Sequence, residues 1–335
     1  MQKRSKVVII GGGTGTATVL SALAGDNELD LTAIVAVSDS GGSTGRLRDE
    51  FGFIPVGDVR ACLAALATGK NSQRVKQLLL YRFDRGEGLV GHNLGNLMLT
   101  SLTDIYQTPG KAIEVLSRIL RINGRVYPVS EQPTDLVIDF EDGSQVVGED
   151  FLNFKENGGR KIKQVSLRPQ VQIYRKAVDA LQAADLILFG PGDLYASLLP
   201  NTLVSGFREA LASAPAPFVY ITNLMSTFVQ THQMTARDHV QEITRYSGRK
   251  PDIVIVNQQE ITDQEVIRNY QEAGLQPLVD DLDESEYRVI RADLVSPVTA
   301  QTVSGDALPR SFLRHHGPNL HRIVKEILNV QSKKN

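Results

Sequence analysis

Hydrophobic positions along the chain follow two rhythms. Residues 7–10, 31–37, 185–189, 218–222 and 253–256 form short apolar runs rich in Val, Ile, Leu and Phe. Their lack of alternation predicts strands buried on both faces, as in a parallel sheet flanked by helices. Between them apolar residues recur at spacings of three and four. Leu94, Leu97, Met98, Leu102 and Ile105 form one stripe of a helix over 94–106. The same period predicts helices near 14–24, 58–68, 71–83, 111–120, 171–183 and 319–330, whereas the Gly/Ser-rich stretch 38–57 is expected to be a long loop. The rhythm changes over 125–167. There Leu136-Val137-Ile138-Asp139-Phe140 and Gln145-Val146-Val147 flank an Asp142-Gly143 turn and predict a β-hairpin. Strands alternating with helices indicate a Rossmann-like, doubly wound, mostly parallel α/β sheet. The chain is read as a single domain over 1–335, with 125–167 as a small β-rich insertion.

Composition narrows the function classes. At 335 residues and 41% hydrophobic content the chain can fill a sizeable core. Thirty-six Lys plus Arg against 38 Asp plus Glu give a formal net charge of −2, which argues against charge-driven nucleic-acid binding. A lone cysteine, Cys62, cannot form an internal disulfide or supply a Cys-rich zinc site, and reads as a small core hydrophobe. No apolar run approaches the roughly 18 residues of a membrane span, and the cationic start is followed by too short an apolar stretch for a signal peptide. A cytoplasmic protein without membrane insertion is expected.

Candidate chemistry lies where strands end. The first run leads into Gly11-Gly12-Gly13-Thr14-Gly15, the second into Ser38-Asp39-Ser40-Gly41-Gly42-Ser43-Thr44-Gly45, and the third into Gly190-Pro191-Gly192-Asp193. Asn223 and Asn257 follow the other two. In an open parallel sheet these ends share one edge, where ligands bind. Glycines at a helix start let backbone N–H groups approach an anion, so phosphate is the natural ligand. No Lys completes a P-loop, and the dinucleotide fingerprint meets Thr16 or Thr18 where it needs glycine. Asp39 still suits a ribose diol, which leaves a dinucleotide open, and it also suits Mg²⁺. Ser43, Thr44 and Arg46 suit phosphate or sugar oxygens, and Asp58 opens the next helix as a candidate cap. His92, Asn93 and Asn96 gather at the start of the helix over 94–106. No second His or Cys has metal-ligand spacing to His92, and no nucleophile–base set stands out, so no catalytic residue is assigned.

In this order, these motifs together with Thr222-Asn223-Leu224-Met225 and Arg314-His315 resemble the YvcK/CofD family, in its branch of YvcK-type gluconeogenesis factors. The resemblance runs nearly end to end. It implies a Rossmann-like fold and a cytoplasmic bacterial protein needed for growth on gluconeogenic carbon sources and for normal cell shape. It also implies binding of UDP-sugars such as UDP-N-acetylglucosamine, with no required cofactor. The sister branch, CofD, is a Mg²⁺-using 2-phospho-L-lactate transferase, which makes a nucleotide-dependent transferase the alternative. By position, the first two glycine-rich loops and Gly190–Tyr195 would hold the nucleotide or diphosphate. His92, Asn93, Asn96 and Asn223 would line the crevice, and Arg314 would close it. The chain departs from the family at Ser40, where a second aspartate is common, and at Asp193, where serine is usual. Val229-Gln230-Thr231-His232 also replaces a Gly-Glu-Thr-Asp stretch. A small phosphorylated ligand is the expected partner; whether the chain forms homo-oligomers is left open.

Overall fold

In the computed structural model, which describes residues 4–153, 159–262, 264–272, 274–297 and 313–332, the unbroken apolar runs become the centre of one sheet. The chain starts with β1 (Ser5–Gly11), α1 (Thr14–Leu23) and β2 (Leu29–Val35). Five helices follow: α2 (Gly42–Phe51), α3 (Gly57–Leu66), α4 (Ser72–Leu80), α5 (Leu94–Tyr106) and α6 (Pro109–Ile119). Next come β3 (Arg125–Pro128), β4 (Asp135–Phe140), β5 (Gln145–Val147), β6 (Ile162–Arg168), α7 (Arg175–Gln182) and β7 (Leu186–Phe189). A π-type turn at Leu194–Leu198 leads into α8 (Leu199–Thr202), α9 (Phe207–Ser213), β8 (Phe218–Ile221) and β9 (Met225–Thr227). The chain then runs through α10 (Ala236–Ser247), β10 (Ile253–Asn257), α11 (Gln264–Glu272), β11 (Leu275–Pro277), β12 (Arg288–Ala292) and α12 (Gly317–Ser332).

Seven strands form the main sheet in the order β12-β10-β8-β7-β1-β2-β3, and every neighbouring pair is parallel. Both faces are covered, which explains the absence of alternation. Val7 and Ile9 of β1 pack with Leu20 of α1, Leu63 of α3 and Ile323 of α12. Val8 and Ile10 point the other way, into a core with Leu181 of α7, Phe207 of α9 and Val240 of α10. From β1 the order runs through β2 to β3 on one side, and from β7 through β8 and β10 to β12 on the other. The junction of β1 and β7 is therefore a topological switch point, where loops leave in opposite directions and open a crevice at the carboxyl ends.

The doubly wound sheet agrees with the sequence reading, and the details differ in four places. Residues 42–51, expected within a loop, form α2. Of the segment 125–167, β3 joins the main sheet beside β2, while β5, β4 and β6 make a separate antiparallel sheet. The hairpin turn there has Gly143 at φ +83°, the left-handed conformation that an Asp-Gly turn uses. The edge strand β12 and the short antiparallel pair β9–β11 were not anticipated. Among the described residues no helix is long and apolar enough to cross a membrane.

Candidate functional site

The ends of β1 and β7 touch. A Cβ placed on Gly15 would stand 1.6 Å from the Pro191 carbonyl oxygen, so only glycine lets the first turn of α1 lie against the Gly190–Asp193 loop. A Cβ on Gly13 would stand 2.4 Å from Asp58 Oδ1, and one on Gly12 2.7 Å from Ser197 Cβ. Gly13 caps α1 without a side-chain acceptor, so Thr14 and Gly15 begin the helix with no side-chain cap on their N–H groups. Asn223, at the end of β8, locks the third loop from the other side. Its Oδ1 accepts from Gly192 N–H (2.8 Å) and its Nδ2 donates to the Gly192 carbonyl (2.9 Å).

A neutral network gathers where α2 and α5 begin. Asp39 Oδ1 accepts from Gly41 N–H at 2.8 Å, turning the chain into α2, whose first turn buries Ser43 and Thr44. Ser43 Oγ accepts from Asn93 N–H (3.3 Å) and Asn96 Nδ2 (3.4 Å) and lies 3.2 Å from His92 Nδ1. With both lone pairs engaged, the Ser43 hydroxyl donates to Nδ1 and acts as a post, not as a nucleophile. Burial, and then the Arg46 guanidinium, hold His92 below its ordinary value, so it is neutral near pH 7 and can accept at Nδ1. Asn93 caps α5 by accepting from Gly95 N–H (2.9 Å), and Asn96 Nδ2 also reaches Thr44 Oγ1 (3.4 Å). Asn96 Oδ1 is buried with no hydrogen-bond partner among the described residues. Arg46 donates to the Val90 carbonyl (3.2 Å), while Arg48 pairs with Asp135 at 2.7 Å, tying α2 to the small sheet.

Carboxyls meet around the second loop. Asp58, in the first turn of α3, lies against Gly12 and Gly13. Glu149, which follows β5, enters from the insertion: its N–H donates to Ser40 Oγ (3.1 Å) and its carboxyl hydrogen-bonds Asp39. Burial, followed by the charges of Asp39 and Asp58 and by the Asp39 hydrogen bond, pushes the Glu149 carboxyl well above its ordinary value. Asp193, reachable by solvent but ringed by protein, is raised by desolvation. Among the described residues no three His, Cys, Asp or Glu side chains are arranged to hold a metal ion. Sequence reasoning missed Glu149. It belongs to no motif and stands 110 positions from Asp39, so only the folded insertion reveals it.

Other sequence candidates are placed elsewhere. Tyr195 lies in the π-type turn with its ring buried and its hydroxyl donating to Glu242 (3.0 Å). Gln230 Oε1 accepts from Ala196 N–H (3.3 Å) and Thr231 Oγ1 from Thr227 N–H (2.9 Å), so the 229–232 stretch braces the turn. Arg314 borders a groove of about 960 Å³ that also includes Thr14 of α1. A second hollow of about 480 Å³ borders Asn223, Asn257, Gln258 and Gln259 at the ends of β8 and β10. Gly11–Gly15, Asp58, Gly190–Asp193 and Asn223 thus converge at the switch point. Asp39, Ser43, Thr44, His92, Asn93 and Asn96 form its β2 side.

Known proteins share this fold and much of this sequence. The family profile of 2-phospho-L-lactate transferase CofD matches residues 7–295. The gluconeogenesis factor of Bacillus subtilis is 38% identical over 301 residues, covering 88% of this chain and 93% of that protein. The gluconeogenesis factor of Listeria monocytogenes is 40% identical over 252 residues, covering 74% and 76%. A crystal structure of a UPF0052-family protein from Bacillus halodurans aligns with a TM-score of 0.86 at 35% identity, covering 97% of this chain and 100% of that one. The chain belongs to the CofD family, and its similar relatives are named gluconeogenesis factors.

Proposed function

We propose that this protein binds a UDP-sugar of the UDP-N-acetylglucosamine type in the switch-point crevice. On this reading it is a cytoplasmic regulatory gluconeogenesis factor, required for growth and normal cell shape on gluconeogenic carbon sources. The observation that carries the reading is the contact between the first turn of α1 at Gly15 and Pro191. Two glycine loops held that closely, one of them opening a helix without a side-chain cap, offer backbone donors to adjacent phosphates. A neutral donor at His92 Nε2 and a neutral acceptor at Asn96 Oδ1 suit sugar oxygens and hydroxyls without the cost of burying a charge.

One observation favours the CofD-like Mg²⁺-dependent transferase instead. Asp39, Asp58 and Asp193 each act through space on the Glu149 carboxyl and raise it, and a cation there would relieve that carboxyl. Mg²⁺ often takes one or two carboxylates and completes its shell with water and substrate phosphates. Asp39, the sequence candidate for such a ligand, is engaged here by Gly41 N–H and Glu149. Calorimetric titration of the full chain with UDP-N-acetylglucosamine, GDP and NAD, each with and without Mg²⁺, separates the readings. The regulatory reading expects UDP-sugar binding that does not depend on the metal. GDP binding that appears only with Mg²⁺ would replace it with the transferase, and binding of NAD alone would sink both.

A further inference from the structure

His315 enters the fold just before α12 and is 8% exposed. Its Nε2 lies 2.9 Å from the carbonyl oxygen of Thr222, at the end of β8. A carbonyl only accepts, so Nε2 carries the proton. Burial holds the ring's pKa down at about 4, and at neutral pH it carries one proton only. Nδ1 therefore presents a lone pair, and no donor among the described residues meets it. A donor that reaches this nitrogen from the groove would find it able to accept.

The groove that His315 borders shows what could. It runs beside α1, about 15 Å long at 1.5 Å per residue, with α3 and α4 on one side and the start of α12 on the other. Ala17 and Ala61 supply small apolar surface, while Thr18 and Ser21 add hydroxyls. Arg314 and Thr14, the first residue of α1, both border the groove. Among the described residues no Phe, Tyr or Trp borders the groove, so its described lining offers a nucleobase no such ring to stack on. A saturated ring carrying hydroxyls matches the lining better.

We propose that this groove is the glycosyl subsite of the nucleotide-sugar site, in which His315 Nδ1 accepts a hydrogen bond from a hydroxyl or amide N–H of the sugar. The diphosphate stays at the head of α1, beside Arg314. The proposal rests on the UDP-sugar reading above and adds to it which part of the ligand lies where.

The test uses the full chain labelled with ¹⁵N-histidine, with His315 assigned from the signals lost in His315→Gln. In the free protein, His315 should show the neutral Nε2–H form with an unbonded Nδ1. UDP-N-acetylglucosamine should shift Nδ1, and UDP should not. In parallel, Ala61→Leu, which narrows the groove, should weaken UDP-N-acetylglucosamine at least about tenfold while leaving UDP within about twofold. An Nδ1 that is protonated or already hydrogen-bonded in the free chain overturns the proposal. So does an Nδ1 that stays still while calorimetry shows UDP-N-acetylglucosamine bound, or one that UDP shifts equally. Those outcomes leave the UDP-sugar reading standing. Absence of heat with either nucleotide overturns that reading and the subsite with it.

Discussion

Ser43, His92, Asn93 and Asn96 meet where α2 and α5 begin, and their contacts pair neutral donors with neutral acceptors. Around the neighbouring second loop, Asp39, Asp58 and Asp193 stand close enough to Glu149 to raise its carboxyl through their charges. Both clusters are built from loops at strand ends, yet their energetics are opposite. The neutral cluster nearly completes itself: of its acceptors, Asn96 Oδ1 is left without a partner among the described residues. The acidic cluster can be completed only by a proton, a cation or a ligand rich in donors. One side of the crevice is therefore preorganised, and the other stores unfavourable charge that a ligand can discharge.

The pH dependence of stability separates buried imidazoles from carboxyls and carries the largest expected effect. His239 and His315 are both held at about 4 by burial, against an ordinary 6.5. The unfolded chain binds their protons first, so stability should fall as pH drops from about 6.5 towards 4, by at most about 3 kcal/mol per histidine. Glu149 works in the opposite sense. Its folded value is raised, so stability should be lost as pH climbs above its unfolded value of 4.5. Denaturant titrations across this range should show the histidine slope reduced in His239→Gln.

Next in size is Gly15→Ala. The added carbon meets a backbone oxygen that cannot rotate away, so about 3 kcal/mol of stability should be lost, together with UDP-sugar binding. Gly25→Ala is the control, because a Cβ there meets nothing within 4 Å; it should change stability by less than about 1 kcal/mol. Gly13→Asp is a poor probe of the anion site, since its Cβ would already displace Asp58.

The two clusters can then be set against each other directly. Ser43→Ala leaves His92 Nδ1, Asn93 N–H and Asn96 Nδ2 short of a partner and should cost about 2 kcal/mol in urea unfolding. Glu149→Gln replaces a carboxyl that must hold a proton to donate to Asp39 by an amide that donates at any pH, and should stabilise the protein at pH 7 by about 1 kcal/mol, while abolishing the loss above pH 4.5. Equal destabilisation by both variants would break the contrast.

How far the sequence revealed this follows from local physics. Strands buried on both faces announce themselves, and β1, β2, β7, β8 and β10 lay within about two residues of where hydrophobicity placed them. The helix α2 was hidden because Gly-Ser-Thr-Gly has poor helix propensity; the burial of Ser43, Thr44 and Leu47 makes up for it. The edge strand β12 reads Arg-Val-Ile-Arg-Ala, too polar to resemble a central strand. In the site, glycine spacing exposed both loops of the switch point, but Glu149 depends on a contact made only by folding. Tyr195 sits in a suggestive motif, and its hydroxyl is taken by Glu242, which no local pattern could show.

The most direct test of the central claim is a structure of the full chain with UDP-N-acetylglucosamine. The account predicts the diphosphate between the first turn of α1 at Thr14–Gly15 and the Gly190–Asp193 loop, with the sugar directed along α1 towards His315. A diphosphate bound among Asp39, Asp58 and Glu149 through Mg²⁺, with the glycine loops empty, would contradict it.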